Sequence, residues 1–227
     1  MRGGGLLPNA IRQAVEASTT RKPQYITHSQ GSSLSQPEVV AEGNRWFVVY
    51  KPPKWLVEPA NVNESLQTRL PALQSVCRVS LESDTVLFPM RLSQDIAGLT
   101  LACTDRGMSA QFSRQLVSGQ IDRHYRALCT FDENSNLQPE SLPSHFITVD
   151  VKRPGLCLVN TIASKLRAST LHNLLSSRGL QLYDSEAIPF KLQLYRLVFP
   201  DPISPASGDR LSVEMGMPGE WEHLLDT

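Results

Sequence analysis

The chain carries no surplus of either charge. Its 22 Lys and Arg balance 22 Asp and Glu over 227 residues. A strongly basic nucleic-acid wrapper is excluded, because such proteins carry a positive excess that offsets phosphate charge. No apolar run approaches the roughly 18–20 residues that span a bilayer, so a soluble chain with no membrane contact is expected. There is no secretory h-region and no internal repeat. The four cysteines, Cys77, Cys103, Cys129 and Cys157, include no C-x-x-C pair of the kind that marks zinc or redox sites. Each lies in or beside apolar residues and reads as a free, packed thiol. The histidines, His28, His124, His145, His172 and His223, are dispersed, which argues against a metal site.

What is present is enough apolar material for a core, 41% of the residues, and this excludes an acidic disordered chain. Composition splits the chain into an N-terminal extension, 1–41, and a compact body, 42–227. The extension holds Gly3–Gly5, a Ser-rich patch at Ser29–Ser35 and few large apolar residues, and reads as flexible or as ordered on a partner. Arg2, Arg12, Arg21 and Lys22 stand against Glu16, with Leu6, Leu7, Ile11 and Val15 interspersed. That basic, mildly amphipathic pattern is either a mitochondrial import segment or an ordinary tail.

From Glu42 onward the pattern is regular. Trp46–Tyr50 is an aromatic and β-branched run that predicts a strand stopped by Pro52 and Pro53. Leu66, Leu70 and Leu73 predict a short helix over Glu64–Leu73. Leu99–Cys103 predicts a strand. Asp105 can cap a helix in which Met108, Phe112 and Leu116 recur every four residues, with Gly119 at its end. Tyr125–Thr130, Ser144–Val151, Phe190–Phe199 and Leu211–Met215 predict strands, and Ser169–Ser177 a helix ended by Gly179. Strands outnumber helices, so the expected class is α+β with a mostly antiparallel sheet flanked by helices. The charge is unevenly spread: residues 1–41 and 42–128 each carry a surplus of two positive charges, and residues 129–227 a deficit of four. The basic bias includes Lys51, Lys54, Arg91, Arg106, Arg114, Arg123 and Arg126, a weak pointer to a phosphate-facing side.

Three stretches, taken together, resemble the RluA-type pseudouridine synthases. Lys51-Pro52-Pro53-Lys54-Trp55-Leu56-Val57-Glu58-Pro59 is similar to that family's K-P-x-G-[LW]-x-V-x-P, with Lys54 where glycine is usual. Arg91-Leu92-Ser93-Gln94-Asp95-Ile96-Ala97-Gly98-Leu99 resembles its active-site stretch H-R-L-D-x-x-T-S-G-L. Ile121-Asp122-Arg123-His124-Tyr125-Arg126-Ala127-Leu128 resembles V-x-K-x-Y-x-A-L. Further on, Lys165–His172 is similar to T-G-R-T-H-Q-I-R, and Leu192–Pro202 to L-H-A-x-x-L-x-F-x-H-P. The resemblance covers roughly residues 42–226 and implies the pseudouridine synthase fold.

It also implies a chemistry without metal or organic cofactor. In the family an aspartate attacks a flipped-out uridine or its sugar, and the arginine two residues before it holds the carboxylate ionised. A tyrosine stacks on the target base. The matching positions are Arg91, Ser93 and Tyr125. Arg91 and Tyr125 are kept, but the nucleophile is not, because a serine hydroxyl is neutral and needs a base to activate it. Met90 replaces the family's histidine. In the later basic motif only Arg167 matches, and His172 stands at its second arginine. Asp95 is a possible substitute, but two residues of chain move a carboxylate by roughly 5–7 Å, from a rise of about 3.3 Å per residue. Catalytic groups need closer placement than that.

The expectation is therefore a degenerate site of Arg91, Ser93, Asp95 and Tyr125 with no working nucleophile. Candidate RNA contacts are Lys51, Lys54, Arg91, Arg123, Tyr125 and Arg167. Tyr125 is read either as a packed residue or as a base-stacking one, Lys51 and Lys54 either as phosphate contacts or as plain surface lysines, and Trp55 as core or pocket wall. The expected role is a catalytically inactive factor that binds ribosomal RNA and ribosomal or assembly-factor proteins, in the mitochondrial matrix or alternatively the cytoplasm. The competing expectations are an active isomerase with a displaced or partner-supplied nucleophile, and a structural subunit that contacts protein only.

Overall fold

A computed structural model describes residues 24–28, 36–58, 66, 86–132, 147–162, 168–184, 191–203 and 207–226. Among these residues ten strands form one sheet: β1 Gln24–His28, β2 Glu38–Gly43, β3 Trp46–Lys51, β4 Ala97–Cys103, β5 Asp122–Thr130, β6 Ile147–Arg153, β7 Leu156–Ile162, β8 Gln181–Leu182, β9 Leu192–Pro200 and β10 Arg210–Met215. Among the described residues three helices accompany them: α1 Arg106–Val117, α2 Ala168–Ser176 and α3 Gly219–Asp226. The main path runs β2-β3-β4-β9-β5-β7-β6, with β10 and β1 branching from β9 and β8 pairing β5. The β4–β9 and β1–β10 pairs are parallel, and every other pair is antiparallel. The α+β expectation holds, and the sheet is mixed.

The local signals act as predicted where they are strong. Asp105 caps α1, its carboxylate accepting from the Met108 N–H at 2.9 Å, and Gly119 follows the helix with φ +73°. Phe112 is fully buried, and Met108 and Leu116 pack against the same core. The Phe199 ring on β9 meets Trp46 edge-on at 5.4 Å and Phe112 at 5.7 Å, which ties β3 and α1 to one end of β9. All six residues of β3 are buried, as expected of a strand covered on both faces. On the sheet's other side, Trp221 of α3 packs with Ala97, Leu128, Leu156 and Leu158. Cys103, Cys129 and Cys157 are buried free thiols, and burial pushes Cys103 up to about 12 and Cys157 up to about 11. Cys77, most of Glu64–Leu73 and the first residues of Ser144–Val151 lie outside the described residues.

One feature departs from the sequence reading. The boundary at residue 42 cuts through β2, and β1 also lies in the stretch assigned to the tail. Glu38, Val39 and Ala41 pair with β3 around a bulge at Val40, and Gln24–His28 pairs in parallel with Leu211–Met215. Both strands draw their stability from partners elsewhere in the chain, which composition over residues 1–41 does not register. On β9, Gln193 is only 2% exposed, and its side-chain amide donates to the Gly216 carbonyl at 3.5 Å.

The feature that positions the site is the fork at β9. Along one edge β9 pairs with β5. Along the other, Gln193–Leu194 pairs with Ala97–Gly98 of β4, and Arg196–Pro200 then pairs with β10. The changeover falls at Tyr195, beside a bulge in the β5–β9 register. Gly98 sits at the point of closest approach, with φ +128°.

Candidate functional site

Immediately before β4, residues 91–96 form an exposed loop on a buried footing. Leu92 and Ile96 are buried, whereas Arg91, Ser93, Gln94 and Asp95 are exposed. The buried Thr100 hydroxyl donates to the Met90 carbonyl at 2.7 Å and fixes where the loop leaves the core. The Ile96 N–H donates to the Ser93 carbonyl at 3.1 Å and closes a turn. The sequence-predicted Arg91, Ser93 and Asp95 are thus brought together on one short loop.

A second segment, residues 52–58, crosses this loop as a strap. Its footing is the last residue of β3, Lys51, which is fully buried. The Lys51 ammonium donates to the carbonyls of Trp55 at 2.8 Å, Pro52 at 3.1 Å and Gln94 at 3.3 Å. Two of these acceptors belong to the strap and one to the 91–96 loop, so the lysine joins the two. Burial lowers its pKa to about 8, although the Asp95 carboxylate favours the charged form. Lys51 therefore lies buried beneath the strap and not at the surface, where the sequence reading places it. The Pro52-Pro53 turn folds carbonyls back over the ammonium and removes it from the surface.

Lys54 is exposed at the top of the strap with φ +66°, where the resembled motif has glycine. Its N–H donates to the Gln94 carbonyl at 2.9 Å, and its own carbonyl accepts from the Gln94 side-chain amide at 2.9 Å. The strap keeps a left-handed backbone there despite the lysine side chain. That conformation costs an L-residue roughly 1–2 kcal/mol, partly offset because glycine loses more entropy on folding. Lys54→Gly is expected to raise stability by up to about 1 kcal/mol, read as a higher urea midpoint with an unchanged slope.

Arg91 reaches the end of the strap. Its Nη2 lies 2.6 Å from Oε2 of Glu58, the two side chains being 69% and 30% exposed. The arginine that the resemblance pairs with a catalytic aspartate is therefore engaged by a carboxylate 33 positions earlier in the chain. Ser93, at the aspartate's position, is exposed and brings no carboxylate.

Tyr125 takes the packed alternative. It is 2% exposed and shares a core with Met90, Leu92 and Ile96. Burial raises its pKa, and Arg123, which hydrogen-bonds to it, partly opposes this. A base could stack on this ring only if the surrounding core opened, so base stacking is not supported by its placement. Arg123 is half-buried beside that phenol, whereas Lys54 and Arg91 are the exposed cations of the site. Trp55 is buried with Phe47, Val57 and Phe88, the core alternative. Arg167 lies outside the described residues.

The sequence reading missed Glu58 as the partner of Arg91 and Gln94 as the link between loop and strap. Nothing local signals either, because each contact joins segments more than 30 positions apart. It also missed the sheet face opposite Tyr125, where the Arg126 guanidinium lies 4.1 Å from the centroid of Tyr195 and bonds Asn160 at 3.4 Å.

No protein-family model and no curated protein sequence matches the chain. Solved structures do match it in three dimensions. Human RNA pseudouridylate synthase domain containing 4 superposes with a TM-score of 0.61 at 13% identity, covering 83% of this chain and 92% of that one. Human RNA pseudouridylate synthase domain containing 1 does so with a TM-score of 0.51 at 14% identity, covering 86% and 96%. The chain has the pseudouridine synthase fold. Among the described residues no helix is long and apolar enough to cross a membrane.

Proposed function

We propose that this chain is an RNA-binding protein that keeps the pseudouridine synthase fold without its catalysis. It would act on ribosomal RNA and ribosomal or assembly-factor proteins during ribosome assembly, in mitochondria. The observation that carries the reading is Ser93. The loop that should present a carboxylate beside Arg91 presents an exposed hydroxyl, and Arg91 is turned to Glu58 instead. The basic residues near the N-terminus, Arg2, Arg12, Arg21 and Lys22, support the compartment. Lys54 and Arg91 support RNA contact, because both are exposed and close on one surface.

The test combines crosslinking with pseudouridine mapping. Ribosomal RNA crosslinked to the protein in cells is sequenced, and pseudouridine is mapped at and around the contacts with and without the protein. The expected outcome is crosslinks at Lys54 and Arg91, impaired assembly on deletion, and an unchanged pseudouridine map. A pseudouridine lost on deletion and restored by wild type, but not by Asp95→Ala, would establish instead an active isomerase with a displaced nucleophile. Association with ribosomal proteins and no RNA crosslink would favour a purely protein-contacting subunit.

A further inference from the structure

We infer that Glu58 is a built-in competitor for RNA phosphate at Arg91, so that a phosphate must displace its carboxylate to engage the arginine. The inference rests on the RNA-binding reading and adds the residue that sets the affinity of that site.

The starting point is the placement of the pair. Arg91 and Glu58 are 2.6 Å apart, yet the arginine side chain is 69% exposed. An isolated pair of this kind contributes at most about 1 kcal/mol, because water screens it and both side chains lose freedom. The strap changes this by bringing Glu58 to the arginine already positioned. Lys51 bonds strap and loop carbonyls at once, and Lys54 and Gln94 exchange two hydrogen bonds across the same junction. Glu58 therefore follows a segment fixed at three points to the loop that carries Arg91.

The chemistry of the two anions decides the rest. A carboxylate and a phosphate both accept from guanidinium N–H groups, so they compete for the same donors. While Glu58 holds Arg91, the local charge is neutral and attraction for RNA is reduced. Once a phosphate takes the arginine, the freed Glu58 returns to water, which its 30% exposure allows. Lys54, exposed on the same strap, is left as a cation that Glu58 does not occupy in this arrangement. The remaining charged group on the loop, Asp95, lies beyond Gln94 and bears on Lys51 beneath it.

The experiment measures binding of a mixed-sequence single-stranded RNA oligonucleotide by fluorescence anisotropy over a range of salt. The proteins are wild type, Glu58→Gln, Arg91→Gln and the double variant. Glu58→Gln is expected to tighten binding about fivefold, the equivalent of about 1 kcal/mol. Its log Kd against log salt should keep the wild-type slope, because the same phosphate is neutralised in both proteins. Arg91→Gln should weaken binding, and Glu58→Gln added to it should change nothing. Urea unfolding of Glu58→Gln should stay within about 1 kcal/mol of wild type, so that a folding defect does not mimic the result.

Equal affinity of wild type and Glu58→Gln overturns the inference while leaving RNA binding intact. An equal gain in the Arg91→Gln background also overturns it, since Glu58 would then act only by general repulsion. So does a covalent adduct with 5-fluorouridine RNA that needs Glu58, because the carboxylate would then be a nucleophile. Absence of RNA binding by every protein overturns both this inference and the functional reading.

Discussion

Gly98→Ala is expected to lower the stability of the chain by about 2–5 kcal/mol, enough at the upper end to leave much of it unfolded or aggregated at physiological temperature. Two independent penalties add. The backbone at Gly98 has φ +128°, a region that residues with a side chain scarcely occupy. A Cβ built there would lie 2.2 Å from the Leu194 carbonyl oxygen and 2.7 Å from its nitrogen. Those are backbone atoms at the β9 fork, so no side-chain rotation can relieve the clash. Overpacking of a rigid core costs about 1–3 kcal/mol, and a left-handed L-residue about 1–2. A domain has about 5–15 kcal/mol in total. The measurement is urea unfolding beside Gly216→Ala, where a Cβ meets nothing within 4 Å and φ is ordinary. Equal midpoints for the two variants would refute the close approach.

The second large effect concerns pH. The stability advantage of wild type over Lys51→Met is expected to rise by on the order of 3 kcal/mol between pH 8 and 10.5. Lys51 titrates near 8 in the folded chain, lowered by burial, and near 10.5 when unfolded. Within that window the unfolded chain holds a proton on this amine that the folded chain has released. The unfolded state binds more protons, so stability from this group increases with pH. Below pH 8 both states are protonated and the contribution is flat, as it is above 10.5. The buried thiols act in the opposite sense. Burial raises Cys103, Cys129 and Cys157, so in alkali they lose protons on unfolding and destabilise the fold. They are common to both proteins, which is why the difference is the quantity to measure. A difference that stays constant across the window would mean that Lys51 titrates alike in both states.

These two residues also mark what the sequence can and cannot reveal. Gly98 stood in a motif, but its role at the fork depends on Leu194, nearly a hundred positions away. Lys51 beside two prolines looked like an exposed cation. Its burial follows from three carbonyls that converge only after the strap has crossed the 91–96 loop. By contrast α1 was legible from end to end, because its Asp105 cap, its four-residue apolar spacing and Gly119 are all local. The strand Trp46–Lys51 was legible for the same reason. The strand Gln24–His28 was not, since its partner Leu211–Met215 is remote and the pairing is parallel. Of the candidate site, the sequence showed the absent carboxylate at Ser93. It did not show that Arg91 would find Glu58, because a loop contact of this span leaves no periodicity behind.

The fork at β9 also sets the order in which the molecule can be completed. One strand carries the edges needed by β4, β5 and β10, and it lies at Leu192–Pro200, late in the chain. As synthesis proceeds from the N-terminus, β4 and β5 emerge long before the strand that must be inserted between them. Until then their inner edges have unpaired backbone groups, the condition in which nascent chains aggregate or recruit chaperones. Closing loops of that length before any pairing is gained also slows the search for the native state. Completion of this sheet thus waits on the arrival of a single strand.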